Sequence, residues 1–166
     1  MSDLPSTLES EVRVALREVL TGDDEFLLAV YTSTRAYELA QVNWAPGQKE
    51  TFVRWQFDLQ RKEYDTRYPE ARYQIILLND QPAGRIWIGE DETQIRLLDI
   101  GLLEEFQKRG VGTILVKELI AEAIEKNKPL RHMVFVLNNN AHRFYERLGF
   151  VTIEDRGGYK HMEWRG

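Results

Sequence analysis

Residues 97–113 constrain this chain more than any other segment. Leu97-Leu98-Asp99-Ile100-Gly101-Leu102-Leu103 reads as a strand, and Gln107-Lys108-Arg109-Gly110-Val111-Gly112-Thr113 follows it after a short link. From Val111 an amphipathic helix begins. Val111, Leu115 and Leu119 share a face with Val116, Ile120 and Ala123, while Lys117, Glu118, Glu122 and Glu125 line the other side, and Pro129 stops it. The amides that open a helix have no intrahelical acceptor, and the helix dipole adds partial positive charge there. Glycines let such a backbone approach an anion closely, so strand, glycine turn and helix together make a cradle for a pyrophosphate. Lys108 and Arg109 add cationic side chains at its rim. Two other phosphate loops are excluded. The Walker pattern needs a Gly-Lys-Ser/Thr ending that is absent, and the dinucleotide fingerprint needs a third glycine where Leu115 stands.

The rest of the chain alternates between the two periodicities. Val12, Val14 and Leu16 read as a first strand, and Thr21-Gly22-Asp23-Asp24 as a turn and cap before a helix carrying Phe26, Leu27 and Val30. A second helical piece covers residues 34–40 and is broken by Asn43-Trp44-Ala45-Pro46-Gly47; residues 48–64 form the next helix. Residues 73–78 and 83–88 make a hairpin around Asn79-Asp80-Gln81-Pro82, and residues 94–103 a third strand. Beyond the amphipathic helix, residues 132–137 are nearly continuously apolar, as in a strand buried on both faces. A short helix opened by Asn138-Asn139-Asn140 runs to Leu148 and ends at Gly149. A last hairpin pairs residues 150–154 with 159–164. Consecutive strands pair antiparallel, whereas the strand–helix–strand unit over residues 94–137 is a parallel crossover. The fold class is α+β, a mixed sheet with helices on its faces.

Composition narrows the function classes. With 166 residues the chain suits a loose arm over residues 1–9 and one domain over residues 10–166. A net charge of −5 argues against a nucleic-acid partner. The chain has no cysteine, hence no thiolate nucleophile or disulfide, and its three histidines, His132, His142 and His161, lack metal-site spacing, so no metal is expected. The acidic, polar start is unlike a signal peptide, and no apolar run has membrane-spanning length. The expectation is a cytoplasmic protein without a membrane partner.

A second motif follows the next strand: Asn138-x-x-Ala141-x-x-Phe144-Tyr145-Glu146-Arg147-Leu148-Gly149-Phe150. Together with Gln107-x-x-Gly110-x-Gly112, in this order and spacing, it resembles the GNAT superfamily of acetyl-CoA-dependent N-acetyltransferases. The resemblance covers residues 12–164 and is most specific over 95–150. It implies the acyl-CoA N-acyltransferase fold, a mostly antiparallel central sheet splayed in the middle. Acetyl-CoA would be the co-substrate. Its pantetheine arm would bond the main chain near Leu102, and its diphosphate would meet Gln107, Lys108, Arg109, Gly110, Val111, Gly112 and Thr113. Asn138 would face the pantetheine, and Tyr145 would stand by the thioester sulfur as general acid. Direct transfer to a primary amine on a small molecule or peptide follows, by a monomer or homodimer. Two departures stand out: Glu104, where proline is common, and Leu103, where a polar residue is frequent. The relatives' general base has no counterpart, because the aligned positions hold Arg96 and Leu98; Asp99 is close in sequence but reads as facing the other side. Two alternatives share the resemblance: a module that binds acyl-CoA without turnover, and a transferase of longer acyl chains. Tyr37, Trp55, Glu38 and Asp58 are candidates for the acceptor side, and Trp44 and Trp87 for packing.

Overall fold

The structure, a computed structural model, describes residues 12–166, so the arm expected at residues 1–9 lies outside the described residues. Strand β1 (Val14–Glu18) leads through a short 3-10 turn at Thr21–Asp23 into helices α1 (Asp24–Thr34), α2 (Ala36–Leu39) and α3 (Gln48–Arg67). Then come β2 (Arg72–Leu78), β3 (Gln81–Glu90), β4 (Ile95–Leu102), α4 (Val111–Lys126), β5 (Leu130–Phe135), α5 (Asn139–Arg147), β6 (Phe150–Arg156) and β7 (Tyr159–Trp164). One seven-stranded sheet results, in the order β1-β2-β3-β4-β5-β7-β6. Every neighbouring pair is antiparallel except β4 and β5. No helix among the described residues is long and apolar enough to cross a membrane.

Two apolar clusters flank this sheet. Under α4 and α5, Val111, Leu115, Leu119 and Tyr145 pack on Ile86, Leu97, Leu130, Val134 and Met162. Under α1–α3, Leu27, Tyr31, Val53 and Phe57 pack on Tyr73, Ile75, Trp87 and Leu98. The second cluster contains no residue of β5, β6 or β7. That explains a difference from the sequence reading. β5 begins at Leu130, ends at Phe135, and buries only Leu130 and Val134, because no helix among the described residues packs over one face of this half-sheet. Val136 and Leu137, expected in the strand, are exposed beyond it.

The first hairpin is tighter than expected. Asn79 and Asp80 alone make the turn, with φ of +49° and +69°. Two left-handed residues form the mirror-image turn whose twist matches that of the strands. Gln81 and Pro82 therefore belong to β3. Asp23 is tied at the other end of the sheet. It accepts two bonds from Arg17, at 2.9 and 3.0 Å, and one from the Leu20 amide at 2.8 Å, which together hold its carboxyl down at about 2.

Helix α1 lies directly on β4 at Gly101. A Cβ there would stand 2.6 Å from Thr34 Cγ2 and 3.2 Å from Val30 Cγ1. Thr34 cannot swing aside cheaply, since its hydroxyl donates to the Tyr31 carbonyl at 2.7 Å. Gly101→Ala is therefore expected to lower stability by about 1–3 kcal/mol, the usual cost of overpacking. Adding Thr34→Ser, which deletes the obstructing methyl, recovers part of it. Thermal melts of the two single variants and the double variant check this coupling, and additive losses would contradict it.

Candidate functional site

The parallel ladder between β4 and β5 has three rungs: Ile95–Leu130, Arg96–Arg131 and Leu97–His132. Beyond the third, the strands part, leaving residues 98–102 of β4 and 133–135 of β5 unpaired with each other. The separation coincides with a bulge. Trp87 pairs with Asp99 and Ile88 with Leu97, so Leu98 is an extra residue against β3. A bulge bends its strand and sharpens the local twist. It also places Leu98 and Asp99 on the same side, where strict alternation would have separated them. Asp99 therefore shares the α1–α3 face with Trp87 and pairs with the buried Arg85 guanidinium. The sequence reading of Asp99 as facing the other way is corrected by this one-residue slip.

Next to the end of β4, the glycine turn carries most of the expected cofactor residues. Gln107 donates from Nε2 to the Leu102 carbonyl at 2.9 Å, which ties the turn to the strand end. Lys108 and Gly110 adopt left-handed conformations, φ +63° and +81°. Gly110 is the N-cap of α4 and makes no side-chain cap. Among the described residues the amides of Lys108, Arg109, Gly110, Val111, Gly112 and Thr113 find no acceptor. The Lys108 and Arg109 side chains are exposed and form no ion pair among the described residues. A Cβ at Gly112 would meet only Phe144 Cζ, at an ordinary 3.6 Å, and one at Gly110 would meet nothing within 4 Å. The protein's own packing thus gives no reason for a glycine at 112. The open space over a row of unpartnered amides fits a bound diphosphate.

Asn138 and Tyr145 lie on α5. Asn138 is exposed and caps the helix, its Oδ1 accepting from the Ala141 amide at 3.1 Å. Tyr145 is 4 % exposed, its ring 4.7 Å from His132, 5.0 Å from Phe144 and 5.2 Å from Phe150. Burial pushes its phenol well above the ordinary value, with the Asp99 charge adding to the effect. Among the described residues its hydroxyl has no hydrogen-bond partner. Of the acceptor-side candidates, Tyr37 (66 %) and Trp55 (59 %) are exposed, Glu38 is half-buried and Asp58 pairs with Arg54; of the packing candidates, Trp87 is core. Trp44 donates to the Leu39 carbonyl at 2.9 Å.

Sequence reasoning missed two residues here. His132 stands at the last rung, Nδ1 2.8 Å from the Leu97 carbonyl, an acceptor that fixes the proton on Nδ1. Arg85 is the second, fully buried and bonded to Tyr73 Oη at 3.0 Å and Gln60 Oε1 at 2.8 Å. The signal for both was a lone ionisable residue inside an apolar strand. Among the described residues no three His, Asp or Glu side chains are grouped to hold a metal ion.

Burial lowers the His132 pKa, and neighbouring Arg96 adds slightly; the Leu97 bond and Asp99 oppose this without cancelling it. The folded state therefore takes up a proton less readily than an unfolded histidine near 6.5. Stability falls as pH drops through that value, and His161, also lowered, adds to the loss. The carboxylates held low, such as Asp23, contribute only further down. His132→Gln is expected to flatten the dependence of the melting temperature between about pH 7 and 5, relative to wild type. Parallel slopes would show that His132 does not titrate in that window.

With this geometry in view, the comparisons with known proteins agree. The model of the Acetyltransferase (GNAT) family matches residues 34–150. The uncharacterized N-acetyltransferase CgeE of Bacillus subtilis (strain 168) is 30 % identical over 98 residues, 53 % of this chain and 38 % of that protein. The match thus spans less than half of that relative. PaiA N-acetyltransferase from Thermoplasma acidophilum, solved in complex with coenzyme A, superposes with a TM-score of 0.71 at 18 % identity, covering 93 % of this chain and 99 % of that one. An acetyltransferase from Thermus thermophilus does so at 0.65 and 24 % identity, covering 90 % and 94 %.

Proposed function

The chain belongs to the GNAT acetyltransferase family, and from that premise we propose that it moves an acetyl group from acetyl-CoA directly to a primary amine on a small molecule or peptide. The observation that carries this reading is the row of amides from Lys108 to Thr113, unpartnered among the described residues, at the far end of the β4 edge that has lost its partner strand.

Bound acetyl-CoA would supply an activated thioester carbonyl. The chain's own part is to hold it, polarise it and deliver a proton. The amides at the start of α4 and the rim cations Lys108 and Arg109 suit the diphosphate. The unpaired edge of β4, ending at Leu102, suits the pantetheine arm, since an extended amide chain can bond a free strand edge as another strand would. A main-chain N–H at that edge polarises the carbonyl. Asn138, whose oxygen is committed to its cap, retains an amide NH₂ for the same arm. Tyr145 is the proton donor. Its buried phenol stays protonated at neutral pH, and its hydroxyl is not engaged elsewhere among the described residues. The acceptor's amine must lose a proton, and Asp99 on the α1–α3 face is the carboxylate next to the gap, though already held by Arg85.

Two measurements test this. Tyr145→Phe keeps the ring packing and removes only the hydroxyl; kcat is expected to fall roughly 10–10³-fold, with acetyl-CoA affinity unchanged. A wild-type kcat, read where chemistry limits the rate, would move Tyr145 to a packing role. Gly112→Val adds a branched side chain within the amide row at a position where the Cβ has room. Acetyl-CoA affinity by calorimetry should drop at least about tenfold, with little change in melting temperature. Acetyl-CoA binding with no acetyl transfer to any amine and no coenzyme A thiol set free would point instead to a sensing module, and preference for longer acyl-CoA to a larger acyl group.

A further inference from the structure

The chain carries a net charge of −5, yet arginines gather on the α1–α3 face at the Leu98–Asp99 bulge. Arg85 is matched there: fully buried, it is held by Asp99, Tyr73 and Gln60. Arg35, at the end of α1, is half-buried, its guanidinium 4.8 Å from the centroid of the Tyr31 ring; Arg85 lies 5.4 Å from the same ring. No carboxylate among the described residues comes within 4.0 Å of Arg35. Besides burial, the groups that act on it are Asp99, already occupied by Arg85, the Tyr31 hydroxyl, and Glu38. Arg96 sits on β4 three residues before Asp99, is also half-buried, and likewise has no such partner. Arg131, its neighbour across the second rung, has Glu163 at 3.5 Å.

One hydroxyl lies on the bulge itself. Tyr64 Oη donates to the Leu98 carbonyl at 3.3 Å. Its pKa is pushed up to about 12 by burial and by Asp99, while Arg96 and Arg35 both pull it back. Two half-buried guanidinia without a carboxylate partner among the described residues, Arg96 on β4 and Arg35 against the Tyr31 ring, therefore belong to the face that carries the bulge. Asp99 stands two residues past the last rung, Leu97–His132, and His132 lies 4.7 Å from Tyr145, so the bulge adjoins the end of the gap where Tyr145 sits.

We propose that the acceptor amine itself carries a carboxylate, and that Arg35 and Arg96 hold that carboxylate beside the Leu98–Asp99 bulge. The proposal rests on the N-acetyltransferase reading and names its substrate class: a free amino acid or a close analogue. The planar fork of an arginine suits a carboxylate bidentately. Partly desolvated cations without an anion are costly, and a bound carboxylate removes that cost. Arg85 is sealed in and cannot reach a ligand, whereas Arg35 and Arg96 keep a solvent-facing side.

The test uses matched pairs, each a free amino acid and its carboxamide, spanning the proteinogenic side chains, with acetyl-CoA saturating and acetylated product read by mass. The amino acid of a working pair should be favoured at least about 100-fold in kcat/KM over its carboxamide, the size of one charge-assisted bidentate contact. Arg35→Gln and Arg96→Gln should each raise KM for the acid at least about tenfold with kcat little changed, and shrink that preference. Arg35→Lys should restore part of it. Acetyl-CoA affinity should not move in any of them. Carboxamides or simple amines acetylated as well as the acids, or a preference untouched in both glutamine variants, would overturn the proposal and leave the transferase reading standing. If acetyl-CoA binds but no amine is acetylated, the transferase reading fails. Calorimetry of the same pairs on the coenzyme A complex then decides this one: no binding by any acid, or equal binding by its carboxamide, overturns it, and acid-selective binding lost in Arg35→Gln sustains it.

Discussion

A parallel ladder that stops after its third rung is what the remainder of this site is arranged around. Up to Leu97–His132 the sheet is continuous, and the bulge at Leu98–Asp99 follows at once. The extra residue lets β4 keep its bonds to β3 while turning away from β5. An interior strand edge is thereby left open, with backbone groups that a protein ordinarily pairs. The glycine turn is fastened to this edge by the Gln107 bond to the Leu102 carbonyl. The open edge and the helix start with free amides are consequently held in register by one side chain, which gives Gln107 a structural role alongside any contact with ligand.

The bulge has its own anchor. Burying an ion pair such as Arg85–Asp99 takes both charges out of water and seldom adds net stability. Here Arg85 is boxed by Tyr31, Phe57, Tyr73 and Trp87, each ring 5.4 to 5.9 Å from the guanidinium carbon, and its Nε still finds no acceptor. Stacking of Tyr73 on Trp87 at 4.0 Å and the edge contact of Tyr64 with Trp87 at 4.9 Å make the box rigid. What the pair secures is geometry. Removing either partner would strand the other charge in an apolar cluster, so Asp99 stays turned toward the helix face and the bulge stays in place.

The sequence made some of this legible and some not, for physical reasons. Helix α4 was readable to its ends, Val111 and Lys126, because an apolar stripe, a glycine N-cap and a stopping proline all act within one turn of chain. The order of strands and the parallel crossover followed from periodicity in the same way. The bulge was invisible, since alternation in Leu97-Leu98-Asp99-Ile100 is compatible with either face until the pairing with β3 is known. His132 was passed over because its neighbour Tyr145 belongs to a different element. The early end of β5 was missed for a related reason: apolar residues at 136 and 137 look like buried strand unless one knows that no helix among the described residues covers that face.

Burial of Tyr145 bears directly on the chemistry proposed for it. Raising the phenol's pKa makes it a weaker acid, which alone would count against a proton donor. The same low-dielectric surroundings disfavour a thiolate beside it, and so raise the basicity of the leaving sulfur in step. The driving force for donation is then set by the difference between the two groups, and desolvation moves both in one direction. Asp99 tightens the relation, because a fixed negative charge near the gap penalises phenolate and thiolate alike. His132 fits the same logic: kept neutral by burial, and with its Nδ1 proton committed to Leu97, it puts no positive charge next to Tyr145 that would stabilise a phenolate. A phenol held protonated among neutral neighbours is a poor ion but a ready hydrogen-bond donor, which is the state a departing sulfur requires.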